Sequence, residues 1–311
     1  AAAAGGGAAP APAAAAKPAR RSGGAYIGGD AVRPAIAVKI DNVVPALPQS
    51  GIAQADLVYE EIVEYQLTRL VAVFQSKLPD PVGPVRSART SDPYILGSLN
   101  TPLFAYSGGN AGVKEAVAGA ALADVGSDNV GEGGGYYRDS RRKSPHNLFV
   151  HLPQLLSAPA SKAPGVAGPQ FAYRGGDGPP GGSARPARGV QIDFGVPQVR
   201  YTWNGQGWER ERDGRATVDA GNGATVAPPN VIVQFIEYGV SDADYNSPEA
   251  IMSGSGEAWI FTAGQVIQGR WSRPSIGQPT RFTDAGGAPV ELTPGATWVA
   301  LPEPGRAQLL E

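Results

Sequence analysis

Apolar positions follow two different rhythms along this chain, and the change falls near residue 189. Before it, short apolar runs alternate with small helical segments. Pro34 to Ile40 predicts a first strand, closed by the polar pair Asp41-Asn42. One helical turn fits Ser50 to Ala55. The Val-, Ile- and Tyr-rich stretch Leu57 to Glu64 and the similar Arg69 to Gln75 predict a hairpin joined around Tyr65-Gln66-Leu67. Ser91 is placed to start a helix over Pro93 to Leu99, and Leu103 to Tyr106 reads as another strand. Asn110 then caps an alanine-rich helix from Ala111 to about Ala121, and a last helix lies near Leu152 to Leu156.

Beyond residue 189 the pattern becomes one of short alternating strands. These are Val190–Phe194, Val199–Trp203, Trp208–Arg212, Asn230–Glu237, Ala258–Phe261, Val266–Trp271 and Thr297–Leu301. Turn residues separate them at short intervals, as in a small antiparallel sheet, barrel or sandwich. No fixed-period repeat is present. The predicted class is α+β, a mixed α/β domain over 33–157 followed by a mainly antiparallel β domain over 189–311. The Pro/Gly-rich stretch 158–188 is the expected linker.

Residues 1–32 are Ala, Gly and Pro with a few basic side chains, too little apolar surface to offset the entropy of ordering. They are expected to form a disordered tether. As a coil, its first 24 or so residues reach roughly 25–30 Å. The stretch lacks the Leu/Val/Ile core of a signal peptide and reads either as the spacer following a cleaved export signal or as an added remnant with no role. No run of about 18 apolar residues predicts a membrane span. Membrane contact is therefore expected only through a lipid anchor that this chain does not carry.

Among 311 residues the formal charge is -2, so no overall field draws nucleic acid, which is not an expected partner. Cysteine is absent, which excludes thiol nucleophiles, disulfides and thiolate metal sites. No cofactor is called for.

The clearest chemistry lies in Gly83 to Asp92, where Arg86 and Arg89 stand among Ser87, Thr90 and Ser91 just before a predicted helix. Guanidinium forks, hydroxyls and helix N–H groups together suit one phosphate, sulfate or carboxylate. The alternative is pairing with Asp92 or other acids that pins the loop. Ser107-Gly108-Gly109-Asn110 ends a strand and opens a helix, so its N–H groups offer an anion nest, or merely a turn. It lacks the Lys-Ser/Thr of a phosphate-binding Walker loop.

Only His146 and His151 are available for imidazole chemistry. His146, followed by Asn147, sits in a loop entering a helix and suits either acid/base work or a structural hydrogen bond. Neither histidine accompanies a Gly-x-Ser-x-Gly elbow or a His-Glu-x-x-His helix. Glu60, Glu61 and Glu64, with Asp41 and Asp56, invite an acid/base or oxygen-ligated cation reading. In a strand Glu60 and Glu64 would stand ~13 Å apart at ~3.3 Å per residue. That exceeds the roughly 5–9.5 Å of paired glycosidase carboxylates. A partner such as Asp41 or Asp92 would have to be brought in by the fold. Cross-strand pairing of Arg69 with Glu60 or Glu64 is the structural alternative. No metal site is assigned. The five tryptophans all fall in the β-rich half and suit core positions or sugar-stacking platforms.

Pro34-Ala-Ile-Ala-Val-Lys-Ile-Asp-Asn42, Pro48-Gln-Ser-Gly51, Ala55-Asp-Leu-Val-Tyr-Glu-Glu61, Thr68-Arg69 and Val73-Phe-Gln-Ser76 together resemble the YerB-type family. The likeness continues through Gly83 to Asp92, Ser107-Gly-Gly109, Pro145-His-Asn-Leu148, Asn230-Val-Ile-Val, Gly269-Arg-Trp and Pro294-Gly-Ala-Thr-Trp298, so it spans about residues 33–305. Tyr65-Gln66 departs from it where the family has a tight Gly-Gly turn, which leaves the turn type open. The resemblance implies an exported bacterial lipoprotein of the cell envelope, with domains of unknown function, and supplies no reaction.

The combined expectation is an extracytoplasmic protein binding an anionic envelope ligand, a phosphorylated or acidic glycan. Its ligand-binding residues would be Arg86, Ser87, Arg89, Thr90, Ser107, Gly108, Gly109, Asn110 and Asn147. His146, Asp41 and Glu60 would serve proton transfer if the protein is instead a hydrolase or transferase of envelope polymers. A third reading is a protein-interaction module.

Overall fold

The structure, a computed structural model, describes residue 27 and residues 32–131, 134–175 and 180–310. Most of the expected tether lies outside the described residues. Its inner end does not behave as one: Ile27 is fully buried in the apolar cluster that holds Ala35 and Ala37.

The first strand, β1 (Ile36–Asp41), lies between β3 (Thr68–Phe74), antiparallel, and β4 (Leu103–Ala105), parallel. β3 pairs in turn with β2 (Leu57–Ile62), and the short β5 (Ala123–Asp124) extends the far edge beside β4. On its other side β2 accepts Thr297–Ala300 in parallel, followed by Asn230–Gln234, Gly254–Thr262, Gln265–Arg273 and Arg281–Asp284. The two halves of the chain are thus joined in one eleven-stranded sheet. The sequence pattern places a mixed α/β region before a mainly antiparallel β region, and the structure has both. It adds that they share a backbone ladder.

A second sheet, all antiparallel, orders Arg215–Ala216, Trp208–Arg212, Gln198–Trp203, Gly189–Asp193 and Ala307–Leu310. Strand alternation assigns the two faces of the large sheet to different layers. Val38, Ile40, Val58, Ile62 and Leu70 join Val190, Ile192, Tyr201 and Trp208 in one core. Ala37, Leu57, Tyr59 and Val71 join residues of α1 (Ser91–Leu96) and α2 (Ala111–Gly119) in the other. Trp208, Trp271 and Trp298 are buried in these cores.

The Pro/Gly-rich stretch is not a free linker along its described length. Ala167 and Gln170 are buried, Ala172–Tyr173 pairs with Glu291–Leu292, and Arg185–Pro186 pairs with the Gln265–Arg273 strand. The hairpin between β2 and β3 turns through Tyr65 and Gln66, whose φ values are 59° and 55°. Two successive left-handed residues are what a tight type I′ turn demands, a conformation in which glycine or asparagine is favoured.

Candidate functional site

Asp41, the last residue of β1, is 1% exposed and stands opposite Arg69 in the β1–β3 register. Its Oδ2 forms an ion pair with Arg86, 3.1 Å from Nε, and lies 2.7 Å from His146 Nδ1. Three segments far apart in sequence therefore meet on one carboxylate.

Backbone pairing carries them there. Asp41 N–H donates to the Pro84 carbonyl at 2.9 Å, and Arg86 N–H to that of Lys39 at 2.8 Å. Val85 N–H reaches the Leu148 carbonyl of β7 (Leu148–Val150) at 2.6 Å, which positions the residues just before β7. β7 pairs antiparallel with β6 (Tyr136–Arg138). Gly83 makes this close approach possible: a Cβ there would lie 2.8 Å from the Phe149 ring and 2.9 Å from the Leu148 carbonyl oxygen.

Beside this junction is a cleft of about 370 Å³ lined by Asp41, Glu64, Thr68, Arg69, Arg86, Arg89 and Asp244, with Tyr65 at its rim. Arg89 is held: its Nη2 donates to Glu64 Oε2 at 2.6 Å while Nε engages the other oxygen. Burial raises the Glu64 carboxyl, but the hydrogen bonds and charge of Arg89 outweigh it and bring the pKa down to about 2. Arg69 differs. Its Nη1 donates to the Ser87 carbonyl at 2.9 Å, and among the described residues no carboxylate oxygen lies within 4 Å of it. Burial, then the neighbouring charges of Arg89 and Arg86, lower its pKa to about 10 against the opposing pull of Glu64 and Asp41. It keeps its charge at neutral pH in a place where an anion would be welcome.

Several expected ligand contacts are corrected by the geometry. The corner before α1 is already filled, because Asp92 Oδ2 accepts the Arg89 N–H at 2.7 Å. Thr90 Oγ1 is turned to Ser241 Oγ at 2.8 Å and is buried. Ser87 contributes its carbonyl to Arg69. The Ser107–Asn110 turn is no open nest. Ser107 N–H donates to the Arg86 carbonyl at 2.9 Å, and the Gly108 carbonyl accepts from Ala88 N–H at 3.1 Å. Gly109 sits tight against Val113, and Asn110 Oδ1 caps α2 by accepting from Val113 N–H at 2.9 Å. Asn147 is buried, with its Oδ1 held by Arg138 Nη1 at 2.9 Å.

Glu60 is also removed from the proposed proton-transfer set. It points into the core between the two sheets, 1% exposed, where Arg210 Nη2 contacts both carboxylate oxygens at 3.0 and 2.9 Å. Asn42 Nδ2 and Thr68 Oγ1 complete its hydrogen bonds, each at 3.0 Å. Its neighbour Glu61 faces the helical layer and pairs with Lys39, which also donates to Asp92 Oδ1 at 2.6 Å. Burial pushes the Glu61 carboxyl up, with the charge of Lys39 opposing it. Arg69 lies opposite Glu61 in the register rather than Glu60 or Glu64, and Glu64 has left the strand for the turn.

The expected set thus contracts to Asp41, Arg86 and His146, with Arg89 held at the cleft wall. The sequence reading assigned Arg69 only a pairing role and passed over Asp244. Asp244 arrives on a hairpin, Tyr238–Ser241 with Asp244–Ala250, whose polar sequence gives little strand signal. Among the described residues no group of three or more His, Asp or Glu is arranged to hold a metal ion, and no helix is long and apolar enough to cross a membrane.

Comparison with known proteins supplies further findings. A family model described as "Protein of unknown function (DUF3048) N-terminal domain" matches residues 24–166, and its C-terminal counterpart matches residues 190–299. A Bacillus subtilis (strain 168) protein described as "Putative lipoprotein YerB" is 29% identical over 272 residues, 85% of this chain and 80% of the relative. A crystal structure of YerB protein from Bacillus subtilis matches with a TM-score of 0.78 at 25% identity, covering 90% of this chain and 94% of that one.

Proposed function

This chain belongs to the DUF3048 family, and on that premise we propose that it is an exported, lipid-anchored envelope protein that binds an anionic ligand in the arginine cleft. The ligand class is a phosphorylated or acidic glycan of the envelope. The observation that carries this reading is Arg69, a largely enclosed guanidinium lining the cleft with a carbonyl as its hydrogen-bond partner and no carboxylate within 4 Å among the described residues. Arg86, 26% exposed and steered by Asp41, offers a second cation beside it. Export and anchoring rest on the lipoprotein description of the relative.

A hydrolase or transferase reading has one specific observation in its favour. The Asp41–His146 contact at 2.7 Å is the geometry in which a carboxylate orients an imidazole through Nδ1 and leaves Nε2 for proton transfer. Purified envelope glycans and teichoic-type polymers separate the readings when both retention and product are measured. Binding predicts retention that falls at least about tenfold in the Arg69→Gln/Arg86→Gln variant, with no product. Equal retention by this variant and the parent would sink the binding site, and product that disappears in His146→Ala would establish the enzyme.

A further inference from the structure

A second and larger cavity, about 560 Å³, lies between the segment Val44–Gln49 and the strand pair running from Arg212 to Val218. Leu47, Pro48, Ala216 and Val218 give it aliphatic walls, and Gln49 and Arg212 bring polar groups to it. Its size falls within the range typical of small-molecule sites.

Both polar residues are buried with valences left open. The Arg212 side chain is 4% exposed, and its Nε and Nη1 have no hydrogen-bond partner. Asp213 Oδ2 stands 3.8 Å from Nη1, too far for a hydrogen bond. The charge of Arg210, the preceding inward residue on the same strand, is already matched by Glu60. Gln49 is 1% exposed. Its Nε2 is engaged by the Asp41 carbonyl at 3.2 Å and Asn42 Oδ1 at 2.8 Å, while its Oε1 has no partner. Buried donors and acceptors in folded proteins are nearly always paired, and here one of each kind is left unpaired on two residues that line the same cavity.

The walls are fixed before any occupant arrives. Arg142 clamps the Ala46 and Pro48 carbonyls at 2.9 and 2.6 Å. From the other side Ala220 N–H donates to the Gln49 carbonyl at 2.7 Å, and the Asp219 carboxylate accepts from Gly51 and Ala53 N–H at 2.9 and 2.8 Å. Such preorganisation lowers the entropic cost of binding.

We propose that this cavity binds the C-terminal end of a short aliphatic peptide. Arg212 takes the carboxylate, Gln49 Oε1 accepts an amide N–H, and small side chains rest on Leu47, Ala216 and Val218. A bare phosphate fits less well, since it leaves the aliphatic walls without a partner. The site is separate from the arginine cleft and stands or falls independently of the glycan reading.

The test is titration of the intact chain with N-acetyl-alanyl-alanine, followed by NMR or calorimetry, beside its C-terminal amide and inorganic phosphate. Saturable binding of the acid is expected, with the amide at least about tenfold weaker because the charge-assisted hydrogen bonds to Arg212 are gone. Arg212→Gln should lose at least about tenfold, whereas Arg86→Gln should bind as the parent does. Ala216→Phe, at an exposed strand position lining the cavity, should block it and abolish binding even if Arg212→Gln folds poorly. Equal affinity for acid and amide, unchanged binding in Ala216→Phe, phosphate competing as strongly as the peptide, or no saturation by about 10 mM would each overturn the proposal.

Discussion

Asp41 Oδ2 forms an ion pair with Arg86, 3.1 Å from Nε, and lies 2.7 Å from His146 Nδ1, so one nearly buried carboxylate fixes two groups from different segments. Asp41→Ala is therefore expected to free both and to destabilise the fold by about 1–2 kcal/mol, since the partners left behind are partly exposed to water. His146→Ala leaves the Arg86–Asp41 pair in place and should keep anionic-ligand retention within about twofold. Urea denaturation and a retention assay on the two variants check this contrast.

The Glu60–Arg210 pair is structural, and its energetics should show it. Glu60→Gln leaves Arg210 charged between the two sheets without its partner, with an expected loss of about 3–5 kcal/mol. Glu60→Leu combined with Arg210→Met removes both charges and should recover most of that loss. Additive rather than compensating effects in a double-mutant cycle would contradict the pairing.

Acid should weaken the contact between Glu64 and Arg89. The Glu64 carboxyl, held near 2 by Arg89 against its ordinary 4.5, binds protons less readily folded than unfolded. Its contribution is thus complete above about pH 4.5 and is lost as pH falls toward 2. Melting temperature followed from pH 6 to pH 3 should drop more steeply in the parent than in Glu64→Gln, whose side chain does not titrate.

Asn110 serves as a helix cap, so Asn110→Ala should cost about 1 kcal/mol and Asn110→Gly only a few tenths. Neither change should alter retention of an anionic ligand by more than about twofold, since Asn110 does not line the cleft, although its Nδ2 also donates to the Ala243 carbonyl at 3.0 Å. A large loss of retention with stability unchanged would restore the turn as a ligand nest.

The runs Ile36–Ile40, Leu57–Ile62 and Leu70–Phe74 announced their strands by local composition, because β-branched and apolar side chains suit a pleated, buried surface whatever lies beside it. The cap at Asn110 was legible for a similar reason: its hydrogen bond closes within three residues. The absence of cysteine settled thiol chemistry before any fold was known.

The partners of each charge were decided only by tertiary structure. Glu60 and Glu61 are adjacent in sequence, yet strand alternation sends one to Arg210 between the sheets and the other to Lys39 beneath α1. Which acid meets Arg86, and which arginines keep open hydrogen bonds, depends on strands far apart in sequence being laid side by side. Local composition carries no information about that register, whereas the eleven-stranded sheet joining the two halves fixes it.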